Sequence, residues 1–401
     1  MAPLQTIVDI RNQAERLYRQ QINWRRWLHQ HPELSNQEFK TTAFIKRTLG
    51  KQGLKFQSLG KMKTGAVAII NSGKNYAVAV RSDIDALPIY ETTNVPFKSL
   101  NEGMMHACGH DIHAAILMGT AIILHKNRNN LPGCVKFLFQ PAEEMPPGGA
   151  QALIKEGVLR NPSVNMIFGL HTDPNIDVGK IGLRDGPMMA SVTDFDITVI
   201  GKGGHAARPN LAVDAIVTAS EIVESLQKIV SREIDPLKPV VMTFGTIRGG
   251  TARNIIAAET LLRGTARTLH PDNLKFIAPL IKRTVDGICR ARGAKYKIDF
   301  VAQYPVLVNH KAANGLYKQV FGGLFGADSI VEASQTMGGE DFAFYLQKVR
   351  GAFCRLGIRN NKIGANKPWH TPDFMVDERS IFYGTVLLTS AILKYFEGKI
   401  E

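Results

Sequence analysis

Side chains that could bind a metal ion follow three short apolar segments of the sequence. They are Asp83 and Asp85 after the first segment, Glu143 and Glu144 after the second, and His171 after the third. In open α/β sheets, sites assemble in the crevice outside the carboxyl ends of the strands. We therefore expect these residues to converge although they are far apart in the chain, and the pattern predicts a metal site at that edge of a sheet.

A histidine-rich segment, His106-Ala-Cys-Gly-His-Asp-Ile-His113, lies between the first two apolar segments. If Cys108 to His110 is extended, the two-residue period turns the thiolate and the imidazole to the same side, where they can share one metal ion. Gly109 would let the backbone pass close to that ion. An ordinary loop with a buried cysteine is the alternative, and the carboxylates and the histidine at the strand ends favour the metal site.

The adjacent carboxylates of Glu143 and Glu144 indicate a particular chemistry. Such a pair is often a solvated surface pair, but Pro141 and the apolar segment before it argue against that interpretation. Neighbouring side chains at a strand end point in different directions, so one carboxylate can bind a metal ion while the other faces a water molecule. Metal coordination lowers the pKa of water, and a carboxylate can pass the water's proton to a leaving amine. Amide hydrolysis requires this arrangement.

The elements that would position these residues form two patterns. Apolar runs at residues 76–80, 134–139, 166–170 and 352–356, separated by helical stretches, predict buried strands of a largely parallel sheet. Helices are predicted over residues 4–30, over residues 35–49 and around residues 114–124. Ser35 and Glu38 have the capping-box form at the start of the second helix, and the third is apolar on nearly every side.

Between residues 187 and 301 the order changes to strand, helix, strand, strand, helix, strand, which is the split ferredoxin-like βαββαβ unit. The six elements are predicted at residues 194–200, 214–233, 240–247, 260–268, 273–292 and 295–300. We therefore expect an α/β protein with two domains. Residues 1–186 and 303–401 would form the catalytic domain, and residues 187–302 would form an inserted domain.

Six motifs in order resemble those of the aminoacylase and carboxypeptidase-G-like metallopeptidases. They are His106-Ala-Cys-Gly-His-Asp-Ile-His113, Phe139-Gln-Pro-Ala-Glu-Glu144, Gly169-Leu-His171, Gly201-Lys-Gly-Gly-His205, Gly338-Gly-Glu-Asp-Phe-Ala343 and Trp369-His-Thr-Pro372. Each motif alone is weak, whereas six in order along nearly the whole chain are specific. The most similar branch is the N-acyl-amino-acid amidohydrolases, which includes hippurate hydrolases and plant auxin-conjugate hydrolases.

The resemblance implies a zinc-peptidase-like catalytic domain that holds two divalent metal ions per subunit. The implied ligands are Cys108, His110, Glu144, His171 and His370. The resemblance assigns Glu143 as the general base and Asp85 as the residue that orients a ligand or the base. His370 rests on the resemblance alone. Sulfur, nitrogen and carboxylate ligands favour zinc, manganese, cobalt or nickel over magnesium or calcium.

The inserted domain resembles the family's lid, which also forms the dimer contact. The lid histidine, His205 here, would reach the active site of a partner subunit and stabilise the oxyanion, which implies a homodimer. Asn254 and Arg267 match lid positions that hold substrate, and a guanidinium can bind a carboxylate through two hydrogen bonds. The alternatives are a turn histidine and an arginine on an exposed strand face. The lid departs from the family pattern at Arg253-Asn-Ile-Ile-Ala257 and at Asn210, which concerns the substrate, whereas the metal-binding motifs are intact.

The composition of the chain argues against several other classes of protein. The net charge of +14 permits nucleic-acid binding, but lysine and arginine are spread along the chain and no recognition motif is present, so a solvated surface is the better interpretation. No apolar run approaches the roughly 18–20 residues of a membrane helix, and the first residues lack a signal-peptide core. Four cysteines without a paired spacing predict reduced thiols. We therefore expect a soluble cytoplasmic enzyme that binds neither nucleic acid nor membrane.

The predicted activity is metal-dependent hydrolysis of N-acyl-L-amino acids to a carboxylic acid and a free amino acid. A dipeptidase or carboxypeptidase, or an amidohydrolase acting on N-carbamoyl or N-acetyl-diaminopimelate compounds, would use the same chemistry and stays an alternative. A metal-dependent binding protein without activity is another, and the presence of the candidate base Glu143 argues against it.

Overall fold

The computed structural model describes residues 4–270 and 273–398, which form two compact units. The first unit contains the described residues up to Gly186, then Val308–Ser334 and the described residues from Asp341 onward. The second unit contains Pro187–Leu307 and Gln335–Glu340. Residues 1–3 and 399–401 of the predicted catalytic domain lie outside the described residues. In the part of the chain that is described, none of the helices has the length and apolar character needed to cross a membrane.

The described residues form nine α-helices and sixteen β-strands, numbered in chain order. The helices are α1 (Leu4–Gln30), α2 (Phe39–Gly50), α3 (His110–Lys126), α4 (Gly149–Lys155), α5 (Ala215–Arg232), α6 (Asn273–Arg292), α7 (Lys311–Phe325), α8 (Ala343–Leu346) and α9 (Ser380–Glu397). The strands are β1 (Lys55–Gln57), β2 (Ala66–Ile70), β3 (Tyr76–Asp83), β4 (Cys134–Gln140), β5 (Ser163–Asp177), β6 (Ile181–Leu183), β7 (Gly186–Met189), β8 (Ser191–Ile200), β9 (Gly204–His205), β10 (Val240–Gly249), β11 (Ile255–Ile256), β12 (Glu259–Thr268), β13 (Lys295–Tyr304), β14 (Leu307–Asn309), β15 (Ile330–Glu332) and β16 (Gly351–Arg359).

An eight-stranded mixed sheet lies at the centre of the first unit, in the order β1-β2-β4-β3-β5-β16-β6-β15. The four predicted strands are its central members, and β4, β3, β5 and β16 run parallel to their neighbours in that group. Every residue of β4 is buried, as expected for a strand covered on both faces. Helix α3 is buried from His110 to Leu124 and packs against α1 and α9. The predicted α/β fold with a mostly parallel sheet is confirmed.

The second unit contains a four-stranded antiparallel sheet in the order β10-β12-β8-β13. Helices α5 and α6 pack against this sheet, so the chain order is βαββαβ. Along β8 the side chains of Phe195, Ile197 and Val199 are buried and alternate with partly exposed residues, which is the pattern of a sheet covered on one face. The predicted order of elements in this segment matches the structure.

Two boundaries differ from the prediction. Strand β13 continues to Tyr304, so the chain returns to the first unit at Val308 and not at residue 303. Residues 335–340 also belong to the second unit, which the sequence pattern did not indicate.

The end of strand β5 also differs from the prediction. His171 does not directly follow a strand, because β5 continues past it to Asp177.

The predicted capping box is wrong. Helix α2 begins at Phe39, and the side chain of Glu38 does not cap it. The side chain of Glu33 caps the helix instead, because its two carboxylate oxygens accept hydrogen bonds from the amides of Lys40 (3.0 Å) and Thr41 (2.8 Å). The hydroxyl of Ser35 does not cap α2 either, since it donates to Asp85 Oδ2 at 2.7 Å.

Candidate metal centre

Cys108 and His110 face one site because the chain turns sharply between them. The predicted extended conformation is wrong, since Cys108 lies in a turn and His110 is the first residue of α3. Gly109 has a φ of +87°, which favours glycine. A Cβ atom at this position would lie 2.7 Å from Thr172 Oγ1, so the close approach to β5 also requires glycine.

His171 points to the same site from β5. Its Nε2 atom lies 3.3 Å from Cys108 Sγ, and its Nδ1 atom donates to the carbonyl of Thr172 at 2.8 Å. The pairing between β3 and β5 reaches only to Gly169, so His171 lies just beyond that pairing. Because His171 Nδ1 donates to the carbonyl of Thr172, His171 Nε2 is the ring nitrogen whose lone pair can bind a metal ion.

Glu143 and Glu144 follow β4 in a loop that begins with an unusual backbone conformation, since Ala142 has a φ of +54°. Glu144 Oε1 lies 3.4 Å from His370 Nε2 and 3.9 Å from His110 Nε2. His370 has a φ of +62°, and its amide donates to the carbonyl of Ala107 at 2.9 Å. The implied ligand that the sequence pattern alone did not indicate therefore lies beside the others.

The candidate donor atoms form overlapping groups whose members lie within 4.8 Å of one another. Three of these groups are Cys108, His110 and His171; Cys108, Glu144 and His370; and His110, Glu143 and Glu144. Each pair of these groups has one member in common, which is Cys108, His110 or Glu144, so the donors form one cluster. Thiolate, imidazole and carboxylate donors in this number suit transition-metal ions such as zinc.

The residues present fit a metal centre, because buried polar atoms at its middle lack partners. His110 Nε2 and Glu144 Oε1 are buried and have no hydrogen-bond partner among the described residues. Burial opposes a charge on His110, but the carboxylates of Asp83, Asp85 and Glu144 outweigh it and raise the pKa of His110 to about 10. Burial together with Glu144 and Glu143 raises the pKa of the Cys108 thiol well above its ordinary value. A divalent cation would neutralise this concentration of negative charge.

Asp85 accepts hydrogen bonds from two of the candidate ligands, His110 and Glu144. His110 Nδ1 donates to the backbone carbonyl of Asp85 at 2.9 Å, which turns His110 Nε2 toward the other donors. Asp85 Oδ2 accepts the amide of Glu144 at 2.9 Å and the hydroxyl of Ser35 at 2.7 Å. Burial raises the pKa of Asp85, but the hydrogen bonds and charge of His110 outweigh it and hold that pKa below its ordinary value. The carboxylate is therefore held in its ionised form.

A second buried cluster lies next to the site. The sequence pattern indicated Asp83 as a possible metal-binding residue and placed His113 in the histidine-rich segment, but it did not predict their pairing with each other or the pairing of Asp83 with Arg81. Asp83 Oδ1 accepts from His113 Nδ1 at 2.5 Å, and His113 Nε2 accepts the amide of Thr172 at 2.9 Å. Arg81 donates to Asp83 Oδ2 and to Asp341 Oδ1, both at 2.7 Å. The cluster connects β3, α3 and β5, so it fixes the backbone next to His171. An arginine directly after an apolar strand segment was the signal in the sequence that could have indicated it.

The remaining candidates lie in the second unit. Strands β9 and β11 form a short antiparallel pair in which His205 is opposite Ile255, and the carbonyl of Asn254 accepts the amide of Ala206 at 3.1 Å. The structure thus places the backbone of Asn254 next to the backbone that follows His205. Arg267 lies on β12, and its Nη1 donates to the carbonyl of Met337 at 3.1 Å.

Comparison with known proteins identifies the family. The model of peptidase family M20/M25/M40 matches residues 79–394. The N-acetylcysteine deacetylase of Bacillus subtilis is 40% identical over 90% of this chain and 92% of its own, and an IAA-amino acid hydrolase of Arabidopsis thaliana is 36% identical over 93% and 86%. The crystal structure of a dinuclear metal-binding M20 peptidase from Bacillus subtilis, 35% identical, has a TM-score of 0.84 and covers 96% of this chain and 99% of that one. The chain therefore belongs to peptidase family M20/M25/M40 and is a metal-dependent amidohydrolase or peptidase.

Proposed function

We propose that this protein hydrolyses N-acyl-L-amino acids to a carboxylic acid and a free amino acid. The observation that carries the proposal is the convergence of Cys108, His110, Glu144 and His171, with Glu143 beside them. Two donor atoms at this point, His110 Nε2 and Glu144 Oε1, are buried and make no hydrogen bond within the described residues. We assign Cys108, His110, Glu144, His171 and His370 as ligands of two divalent ions. Zinc, manganese, cobalt and nickel all suit this donor set.

Glu143 acts as the general base in this proposal. When bound, the ions would supply a Lewis acid for the amide carbonyl and lower the pKa of water. Glu143 accepts a proton from the water while the water oxygen forms a bond to the carbonyl carbon. The C–N bond then breaks as Glu143 transfers that proton to the leaving amine, so the products are a carboxylic acid and a free amine and no covalent bond to the enzyme forms. Asp85 keeps His110 and the amide of Glu144 oriented, as the hydrogen bonds to both residues indicate.

We assign recognition of the substrate to the second unit. A guanidinium suits the free carboxylate of an amino acid, which is the role we give to Arg267 together with Asn254. His205 would stabilise the oxyanion in the active site of a partner subunit. This role requires a homodimer, and exposed apolar side chains on the edge strand β10, Val241 and Ile247, support a contact through the second unit.

We also propose a cytoplasmic location. All four cysteines are free, which agrees with a reducing compartment.

The test is release of free amino acid from a panel of N-acetyl, N-benzoyl and indole-acetyl amino acids. Protein stripped with a chelator is compared with protein given back zinc, manganese, cobalt or nickel. Metal-restored release supports the proposal and ranks the acyl groups. Cleavage of dipeptides, N-carbamoyl amino acids or N-acetyl-diaminopimelate in preference to every N-acyl amino acid would contradict the substrate class while retaining the chemistry. Absence of hydrolysis with any of the metals would contradict the proposed function.

A further inference from the structure

The segment Glu33 to Glu38, here called the support segment, contacts the loop that follows β3. The carbonyl of Glu33 accepts the amide of Ala86 at 2.9 Å, and Leu34 pairs with Ala86 in a short parallel bridge. Ser35 donates its hydroxyl hydrogen to Asp85 Oδ2 at 2.7 Å. Three contacts therefore hold the support segment to the residues around Asp85.

The same segment contacts the loop that follows β4. Glu38 Oε1 accepts the amide of Ala142 at 2.8 Å, one residue before Glu143. It also accepts the amide of Asn36 at 2.9 Å, and the side-chain amide of Asn36 lies 3.8 Å from the sulfur of Met145. The support segment therefore contacts this loop on both sides of the two glutamates.

The burial of Glu38 and its contact with Ala142 indicate a role other than the capping of a helix. Its side chain is fully buried, and a buried carboxylate is costly unless hydrogen bonds compensate. Ala142 has a φ of +54°, a conformation that an alanine rarely adopts and that surrounding contacts must maintain. Helix capping does not explain Glu38, because Glu33 caps α2.

We propose that Glu38 and Ser35 are positioning residues that set the distance between the Asp85 loop and the Ala142–Glu144 loop. Glu38 holds the amide of Ala142, and Ser35 holds the carboxylate that in turn accepts the amide of Glu144. The candidate base and its neighbouring ligand thereby share one rigid support with Asp85. This inference rests on the proposed function, since it concerns the geometry of that same centre.

Removing the acceptor should release the loop without removing any group that touches the substrate. In Glu38→Ala, the amides of Ala142 and Asn36 lose their side-chain acceptor, and Ala142 can relax toward negative φ. Because a displacement of about 1 Å can reduce an enzymatic rate about 100-fold, we expect kcat to fall about 10- to 100-fold with KM changed less than about threefold. Glu38→Gln keeps an amide oxygen in the position of Oε1, so it should restore most of the rate.

Glu33→Ala is the matched control. Glu33 is a glutamate of the same segment that also accepts two backbone amides, but its side chain contacts neither of the two loops by these bonds. The four proteins, loaded with cobalt, are compared by kcat and KM on an N-acyl amino acid and by the visible absorption bands of the metal. All measurements are made below the temperature at which the least stable variant begins to unfold.

The expected result is a lower kcat and altered cobalt bands in Glu38→Ala, with wild-type values in Glu33→Ala and near wild-type values in Glu38→Gln. Equal behaviour of Glu38→Ala and Glu33→Ala would overturn the proposal, and so would Glu38→Gln as impaired as Glu38→Ala. If the wild-type protein hydrolyses no amide, the proposed function has failed. The cobalt bands of the variants still decide the positioning role in that case.

Discussion

Substitution of Gly109 by alanine tests the turn that brings Cys108 and His110 together. Gly109 has a φ of +87°, which costs a non-glycine residue about 1–2 kcal/mol. The added Cβ would lie 2.7 Å from Thr172 Oγ1, so Thr172 must move and lose its hydrogen bond to the carbonyl of Cys108, worth about 1 kcal/mol. We expect a total loss of about 2–3 kcal/mol in the free energy of unfolding.

Gly103→Ala is the control for the backbone term. Gly103 has a φ of +75°, but a Cβ there would have no neighbour within 4 Å. Gly103→Ala should therefore cost only about 1–2 kcal/mol and leave metal affinity unchanged. Gly109→Ala should also weaken zinc binding about 10- to 100-fold, because it displaces the residues on both sides of the glycine.

The assay follows tryptophan fluorescence during urea unfolding, together with zinc affinity by competition with a chelator. All three tryptophans, Trp24, Trp27 and Trp369, lie in the first unit, so the signal reports the unit that contains the candidate centre. If the two alanine variants lose the same stability and both retain wild-type zinc affinity, the close approach of Gly109 to β5 has no role in the metal centre.

Three further predictions concern the same unit. Cys108→Ala should reduce bound metal measured by mass spectrometry, whereas Cys354→Ala, which removes a buried thiol from β16, should not; equal metal content in both would remove Cys108 from the ligand set. Removal of metal by a chelator should lower the midpoint temperature of thermal unfolding, which is followed by tryptophan fluorescence. The expected loss in the free energy of unfolding is about 4 kcal/mol relative to protein with metal at about 1,000 times its Kd. An unchanged midpoint would contradict a metal centre in this unit. Burial, and then the charge of Asp85, raises the pKa of Glu38 to about 7, so the folded protein keeps a proton that the unfolded chain releases near pH 4.5, and stability should fall as pH rises between those values. The stability of Glu38→Gln relative to the wild-type protein should therefore increase as pH rises from 4.5 to about 7, and a difference that stays constant over this range would contradict the assignment.

The central strands and the placement of the candidate ligands were predictable for a physical reason. A parallel strand buried on both faces is a continuous apolar run, and the carboxyl ends of such strands lie at one edge of the sheet. Those two rules are sufficient to predict that Asp85, Glu143 and Glu144 lie together. They also place His171 correctly in space, although β5 continues past that residue.

What the sequence did not reveal depends on contacts between distant segments. Ser35 and Glu38 have the local form of a capping box, but their partners are Asp85 and Ala142, which no local pattern indicates. The turn at Gly109 depends on close packing against Thr172 of β5, which is far away in the sequence. His370 was assigned by resemblance alone, since its position follows from a loop conformation that tertiary contacts stabilise.

The most direct test of the proposed mechanism measures bound metal and hydrolytic rate in the same preparation of Glu143→Ala. We expect this variant to bind as much metal as the wild-type protein and to hydrolyse the best N-acyl amino acid at least about 100-fold more slowly, because the general base has been removed while the ligands remain. A rate close to that of the wild-type protein, with metal bound, would contradict the assignment of Glu143 and with it the proposed mechanism.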